Sequence, residues 1–179
     1  MKRRPIPWVL AILVSATLLG QACKDPDSPK PDEKFYCKVN GKHWRPDSDG
    51  DFKAHTLLAD FKNNFKHLAI NARNAELGES IIIIMSETDS IIKGKHKLSV
   101  IESDISLPPS AYFMQNRKPN FTTSSTNTGT FRILSIERDP RILTSVKLKA
   151  EFEFTAASPS GEIVRITDGR FYNWVRISQ

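Results

Sequence analysis

The run Asp47-Ser48-Asp49-Gly50-Asp51 sets carboxylates at alternate positions, as a loop does when it offers oxygen ligands to calcium. An EF-hand loop starting at Asp47 wants glycine at its sixth position and glutamate at its twelfth. Phe52 and Leu58 stand there, so Asp47, Asp49 and Asp51 read first as a solvated Asp-rich turn. Four histidines, His43, His55, His67 and His96, could supply imidazole ligands, but no pair has the i, i+2 or i, i+4 spacing of a local metal site. No metal or cofactor is expected. Glu151 and Glu153 share a strand face, but they alternate with Lys147 and Lys149 and read as part of a water-facing surface. There is no G-x-S-x-G, and the serines cluster in turns, so no nucleophilic triad is indicated. Cys37, in FYCKVN, alternates with Phe35 and Val39 and reads as a small buried apolar residue. The sequence therefore gives no catalytic residue, and an enzyme is not expected.

One constellation points to binding instead. From Gly169 onward, Phe171 and Val175 fall on one strand face, and Arg170, Tyr172, Trp174 and Arg176 on the other. Aromatic rings at i and i+2 between guanidinium groups can stack on sugars or anchor a protein partner. Their ordinary alternative is cover by a loop, or arginines stacking on their own neighbours.

A second constellation concerns placement in the cell. Lys2, Arg3 and Arg4 make a basic head, Trp8–Leu19 an apolar core, and small residues lead to Cys23. That is the pattern of a secretory signal, and its core is short of the ~20 residues that span a bilayer. Leu18-Leu19-Gly20-Gln21-Ala22-Cys23 resembles a lipobox, with Gly20 where Leu or Val is usual. The resemblance implies that 1–22 is removed and that Cys23 carries acyl chains. Lys24 and Asp25 after it resemble the surface-export signal of Bacteroidota lipoproteins, which implies display on the outer membrane facing outward. Pro26, Pro29 and Pro31, with no apolar residue before Phe35, make 23–34 a lipidated cysteine and disordered tether.

The elements that must carry these residues are strands. Phe35–Val39 and the residues after Asn40-Gly41 read as a hairpin. His55–Phe61 and Phe65–Arg73 read as the next two strands, and Ile81–Met85, apolar throughout, as a strand covered on both faces. Lys95–Val100, Ala111–Gln115, Phe121–Ser124 and Thr130–Glu137 follow. Val146–Thr155 alternates over ten residues, and Glu162–Ile177 reads as one long strand with a bulge at Asp168-Gly169. Nine or ten antiparallel strands imply an all-β sandwich or open barrel over 35–179.

Residues 23–179 carry 23 basic and 20 acidic side chains, since three of the 26 lysines and arginines precede them. No local block of Lys or Arg is present, so no nucleic-acid partner is expected.

Phe35-Tyr36-Cys37-Lys38-Val39-Asn40-Gly41 with Trp44, then Gly94, Leu98 and Gly129, then Phe152-Glu153-Phe154 and Ile166-Thr167-Asp168-Gly169-Arg170-Phe171, form a pattern. It resembles a family of Bacteroidota lipoproteins whose domain has no assigned function, over Phe35–Val175. Cys37, where a small residue such as Ala is usual, and Lys97, where an aromatic is common, depart from it. The resemblance implies fold and location but no chemistry. The expected function is a non-catalytic outer-membrane lipoprotein that displays a β-sandwich to a protein or glycan partner. The alternatives are a structural or assembly accessory without a soluble ligand and, third, a secreted hydrolase.

Overall fold

The computed structural model describes residues 33–47, 57–99, 109–138 and 140–178. Cys23, Lys24, Asp25, Asp49, Asp51 and His55 lie outside the described residues. Eleven strands are described: β1 (Phe35–Val39), β2 (Lys42–Trp44), β3 (Leu57–Lys62), β4 (His67–Asn74), β5 (Glu79–Ser86), β6 (Gly94–Leu98), β7 (Ser110–Gln115), β8 (Phe121–Thr122), β9 (Gly129–Arg138), β10 (Ser145–Ala157) and β11 (Ile163–Ile177). There is no helix among the described residues. That is slightly more than the expected nine or ten; the short pieces β2 and β8, both read as strands from the sequence, pair as members of the sheet.

Alternation drives the architecture. In β10, Val146, Leu148, Ala150, Phe152, Phe154 and Ala156 are buried, while Lys149, Glu151 and Glu153 face water. The same period buries Leu68, Ile70 and Ala72 in β4, and Ile81, Ile83 and Met85 in β5. Two inner faces of this kind can only be satisfied against each other. One half runs β6-β9-β10-β11-β1-β2, and the other β3-β4-β5-β7-β8. They join at two corners. The end of β11 pairs in parallel with β3 through Arg176↔Asp60 and Ile177↔Phe61, and the end of β10 pairs with β8 through Ala157↔Thr122. The expected all-β architecture is therefore present as one mixed sheet doubled over a common core. Both a sandwich and an open barrel describe it.

The turns follow their chemistry. Asn40 and Gly41 have φ of 49° and 81°, the pair of positive values a type I′ hairpin needs. Asn40 also clamps this hairpin to β11: its N–H donates to the Arg165 carbonyl, and its Oδ1 accepts from the Arg165 N–H at 2.9 Å. The β3–β4 turn differs from expectation. Phe65 does not open a strand; Asn63, Asn64 and Phe65 take φ of 50°, 53° and 67° in succession. The left-handed phenylalanine is held by its ring, 4.8 Å from Phe61 and with the Arg138 guanidinium 4.9 Å from its centroid. Ile81–Met85 also differs. It lies mid-sheet between β4 and β7, but only Ile81, Ile83 and Met85 are sealed; Ile82 and Ile84 are half-buried on the outer face.

The bulge in β11 is present. Phe152 pairs with Gly169 and Phe154 with Ile166, so Thr167 and Asp168 oppose one residue of β10. Asp168 sits at φ 54°, and its carboxylate takes the Lys38 ammonium at 2.9 Å. Gly169 is required by close approach: a Cβ there would lie 2.4 Å from the Phe152 carbonyl oxygen and 2.5 Å from its ring.

Trp44 links the two halves. It is buried, its ring meets Phe35 edge-on at 5.9 Å, and its Nε1–H donates to Glu79 Oε2 at 2.8 Å. Gln115 donates to the other Glu79 oxygen at 2.8 Å. Trp44→Phe deletes one charge-assisted donor and part of the buried indole, so it should cost about 2 kcal/mol or more in urea unfolding. An unchanged midpoint would show that neither the bond to Glu79 nor the lost ring contributes to stability.

Candidate binding face

The outer face of β6-β9-β10-β11-β1 assembles what the linear sequence keeps apart. Cross-strand register sets Lys95, Arg132, Glu151, Arg170 and Tyr36 in one row across five strands. A second row holds Lys97, Thr130 and Glu153, with Asp168 and Lys38 beyond. Further along β11, Tyr172 stands opposite Lys149, and Trp174 opposite Lys147, which itself faces Glu137.

An open depression of about 700 Å³ lies over the first two rows, with Tyr36 and Gly169 in its lining. Tyr36 is itself buried, and its hydroxyl is held by His43 Nδ1. The carboxylates around the depression face cations: Asp168 takes Lys38, and Glu151 stands 4.0 Å from Arg132. A second depression of about 470 Å³ is lined by Glu137, Arg138, Pro140, Arg141, Lys147 and Trp174. Between them Tyr172 is half-buried, with the Lys147 ammonium 4.4 Å from its ring centroid. A hydrogen bond to the Tyr172 side chain raises the Lys147 pKa, and the charges of Tyr172 and Glu137 add to it. The lysine thus stays charged over the ring.

The four strip residues stand as follows. Arg170 and Arg176 are exposed, Trp174 is 42% exposed, and Tyr172 is half-buried under Lys147. Arg176 Nε donates to Asp60 Oδ1 at 3.3 Å, so one end of the strip is tied to β3. Phe171 and Val175 point into the core.

The other candidates disperse. Asp47 Oδ2 accepts from the Ala75 N–H and closes the β4–β5 turn; Asp49 and Asp51 lie outside the described residues. His43 holds Tyr36, His67 Nδ1 meets Ser86 Oγ at 2.9 Å, and His96 lies between Glu87 and the Ile92 carbonyl. Among the described residues, no three His, Cys, Asp or Glu side chains gather as a metal set. Cys37 is sealed, and burial, with the Glu79 carboxylate second, pushes its thiol far above the ordinary range, so it stays protonated.

Sequence reasoning missed Lys38, Lys95 and Arg132 as members of a face. They lie on three different strands, and only register brings them together. The signal available was weak: cations at the polar positions of several strands, as in Lys95-x-Lys97 and Lys147-x-Lys149.

The class of molecule defined so far is an all-β domain with a charged, aromatic-bearing outer face and, among its described residues, no gathered set of metal-ligating side chains. Compared with protein-family models, with curated proteins and with solved structures, the chain has no match.

Proposed function

We propose that this chain is a lipoprotein, anchored through Cys23 and displayed at the outer membrane. In this reading its β-domain binds a glycan or protein partner without catalysis. The observation that carries the binding half is Trp174. Its indole, 42% exposed on the outer face of the longest strand, lines a depression beside Lys147, a position from which it can anchor a partner. Tryptophan, tyrosine and arginine together are the common anchors of interfaces. The lipobox-like Cys23 and the Lys24-Asp25 that follows support the anchoring half. A hydrolytic reading gains less support. Glu151, Asp168 and Glu153 are exposed, and the first two stand against cations, whereas a glycosidase acid is set in an apolar wall.

Trp174→Ala tests the binding half. Binding of the full-length protein to isolated cell-surface polysaccharide and to outer-membrane protein extracts should fall at least fivefold. The unfolding free energy should stay within about 0.5 kcal/mol, as for surface substitutions generally. Unchanged binding to both, or loss of binding explained wholly by unfolding, would remove the strip as a site.

A further inference from the structure

We infer that the larger depression is a seat for an acidic saccharide, one whose sugar rings bear carboxylate or sulfate groups. The inference rests on the binding reading above and names its ligand class.

The first observation is charge. The outer face carries nine basic side chains: Lys95 and Lys97 on β6, Arg132 on β9, Lys147 and Lys149 on β10, Arg165, Arg170 and Arg176 on β11, and Lys38 on β1. Against them stand five acidic ones, Glu137, Glu151, Glu153 and Asp168, with Asp60 of β3 paired to Arg176. That excess of four exceeds the excess of three over all of 23–179, so the positive charge is concentrated here. Such a face steers anions toward it.

The second observation is placement. Lys95 and Arg132 are directly opposed across β6 and β9, an arrangement that costs stability in a sheet. Among the described residues, neither Lys95 nor Arg170 has an ion-pair partner within 4 Å. All three cations line the same depression. An anion placed there would relieve the repulsion and gain charge-assisted hydrogen bonds.

The third observation chooses among anions. Glu151, Glu153 and Thr130 stand between and beside the cations. A chain of DNA brings one phosphate per residue against these carboxylates and has no free sugar hydroxyls along it to offer them. A sugar acid also carries its charge ring by ring, but each ring adds hydroxyls that can donate to the carboxylates and to the threonine. Tyr172 and Trp174, two strand residues apart (roughly 6.8 Å), continue the same face and give rings on which sugars stack.

The test uses the full-length protein in detergent, titrated with polygalacturonate fragments. Length-matched neutral dextran, single-stranded DNA and polyglutamate serve as comparison probes. Polygalacturonate should bind at least tenfold more tightly than each of the other three, and its affinity should fall as salt rises. Lys95→Gln and Arg132→Gln should each weaken it about tenfold. Lys95→Gln should leave the melting temperature unchanged or raised, because it removes a like-charge pair. Equal binding of dextran, or variants that bind polygalacturonate as the wild type does, would overturn the acidic seat. If Trp174→Ala still weakened dextran binding, the binding face would survive that failure. Preference for DNA or polyglutamate would overturn the saccharide class, and so would failure of polygalacturonate to bind. Loss on Lys95→Gln with none on Trp174→Ala would leave the seat standing and remove the strip.

Discussion

Gly169→Ala is expected to destabilise the domain by about 3 kcal/mol or more, a large effect for a single methyl group. The added carbon would stand 2.4 Å from the Phe152 carbonyl oxygen and 2.5 Å from two carbons of its ring. A flexible neighbour could swing away; Phe152 cannot. Its ring is packed 5.1 Å from Phe35 and stacked 6.4 Å from Phe131, all three buried. The glycine lies inside the longest strand pair, so backing off would disturb pairings on both sides of the bulge. Phe152→Ala alone should cost about 3–5 kcal/mol through the cavity it leaves. The double variant should cost clearly less than the two singles together, because the alanine at 169 then fills part of the space the ring vacates. Urea unfolding of the four proteins gives the coupling. Strict additivity would mean that the cost at 169 comes from the backbone carbonyl of residue 152, which both variants keep, and not from its ring.

How much of this was legible beforehand depends on range. Within one strand the reading works, since period 2 is a local property: the buried set of β10 and the split of Arg170, Tyr172, Trp174 and Arg176 from Phe171 and Val175 follow from it. The Asn40-Gly41 hairpin and the Asp168-Gly169 bulge were also readable, because residues that tolerate positive φ advertise them. Phe65 was not, since nothing local says that a phenylalanine will accept a left-handed backbone in return for contact with Phe61 and Arg138. Ile82 and Ile84 misled for a related reason. An all-apolar strand implies cover on both faces, yet what covers the outer face is decided by elements elsewhere in the chain. The face itself was the least legible. Lys38, Lys95, Arg132 and Arg170 span much of the sequence, and the pairings β6–β9, β9–β10, β10–β11 and β11–β1 bring them together. A search for a basic block is blind to that, because strand order is not written in any single strand.

Cys23→Ala should move the protein from the detergent phase to the aqueous phase almost completely, the largest change expected of any substitution here. Each buried chain carbon contributes ~0.8 kcal/mol, and one fatty chain alone gives only marginal, reversible attachment. A lipoprotein cysteine bearing several chains therefore holds its protein by many factors of ten, all lost with the sulfur that the lipid needs. The apolar core Trp8–Leu19 cannot take over this role as a span, being short of the ~20 residues required. The same substitution should leave the fold alone. β1 begins at Phe35, and the described core, from Phe35 to Val175, includes no residue of the tether. Thermal unfolding should match the wild type, and so should Trp174-dependent binding in solution. Phase partitioning of the two proteins, with mass spectrometry of their N-terminal peptides, reads the outcome directly. An Ala variant that still enters the detergent phase as the wild type does would show that the attachment does not run through Cys23. Attachment would then run through the apolar Trp8–Leu19 segment, if mass spectrometry finds it retained, or through a surface of the domain.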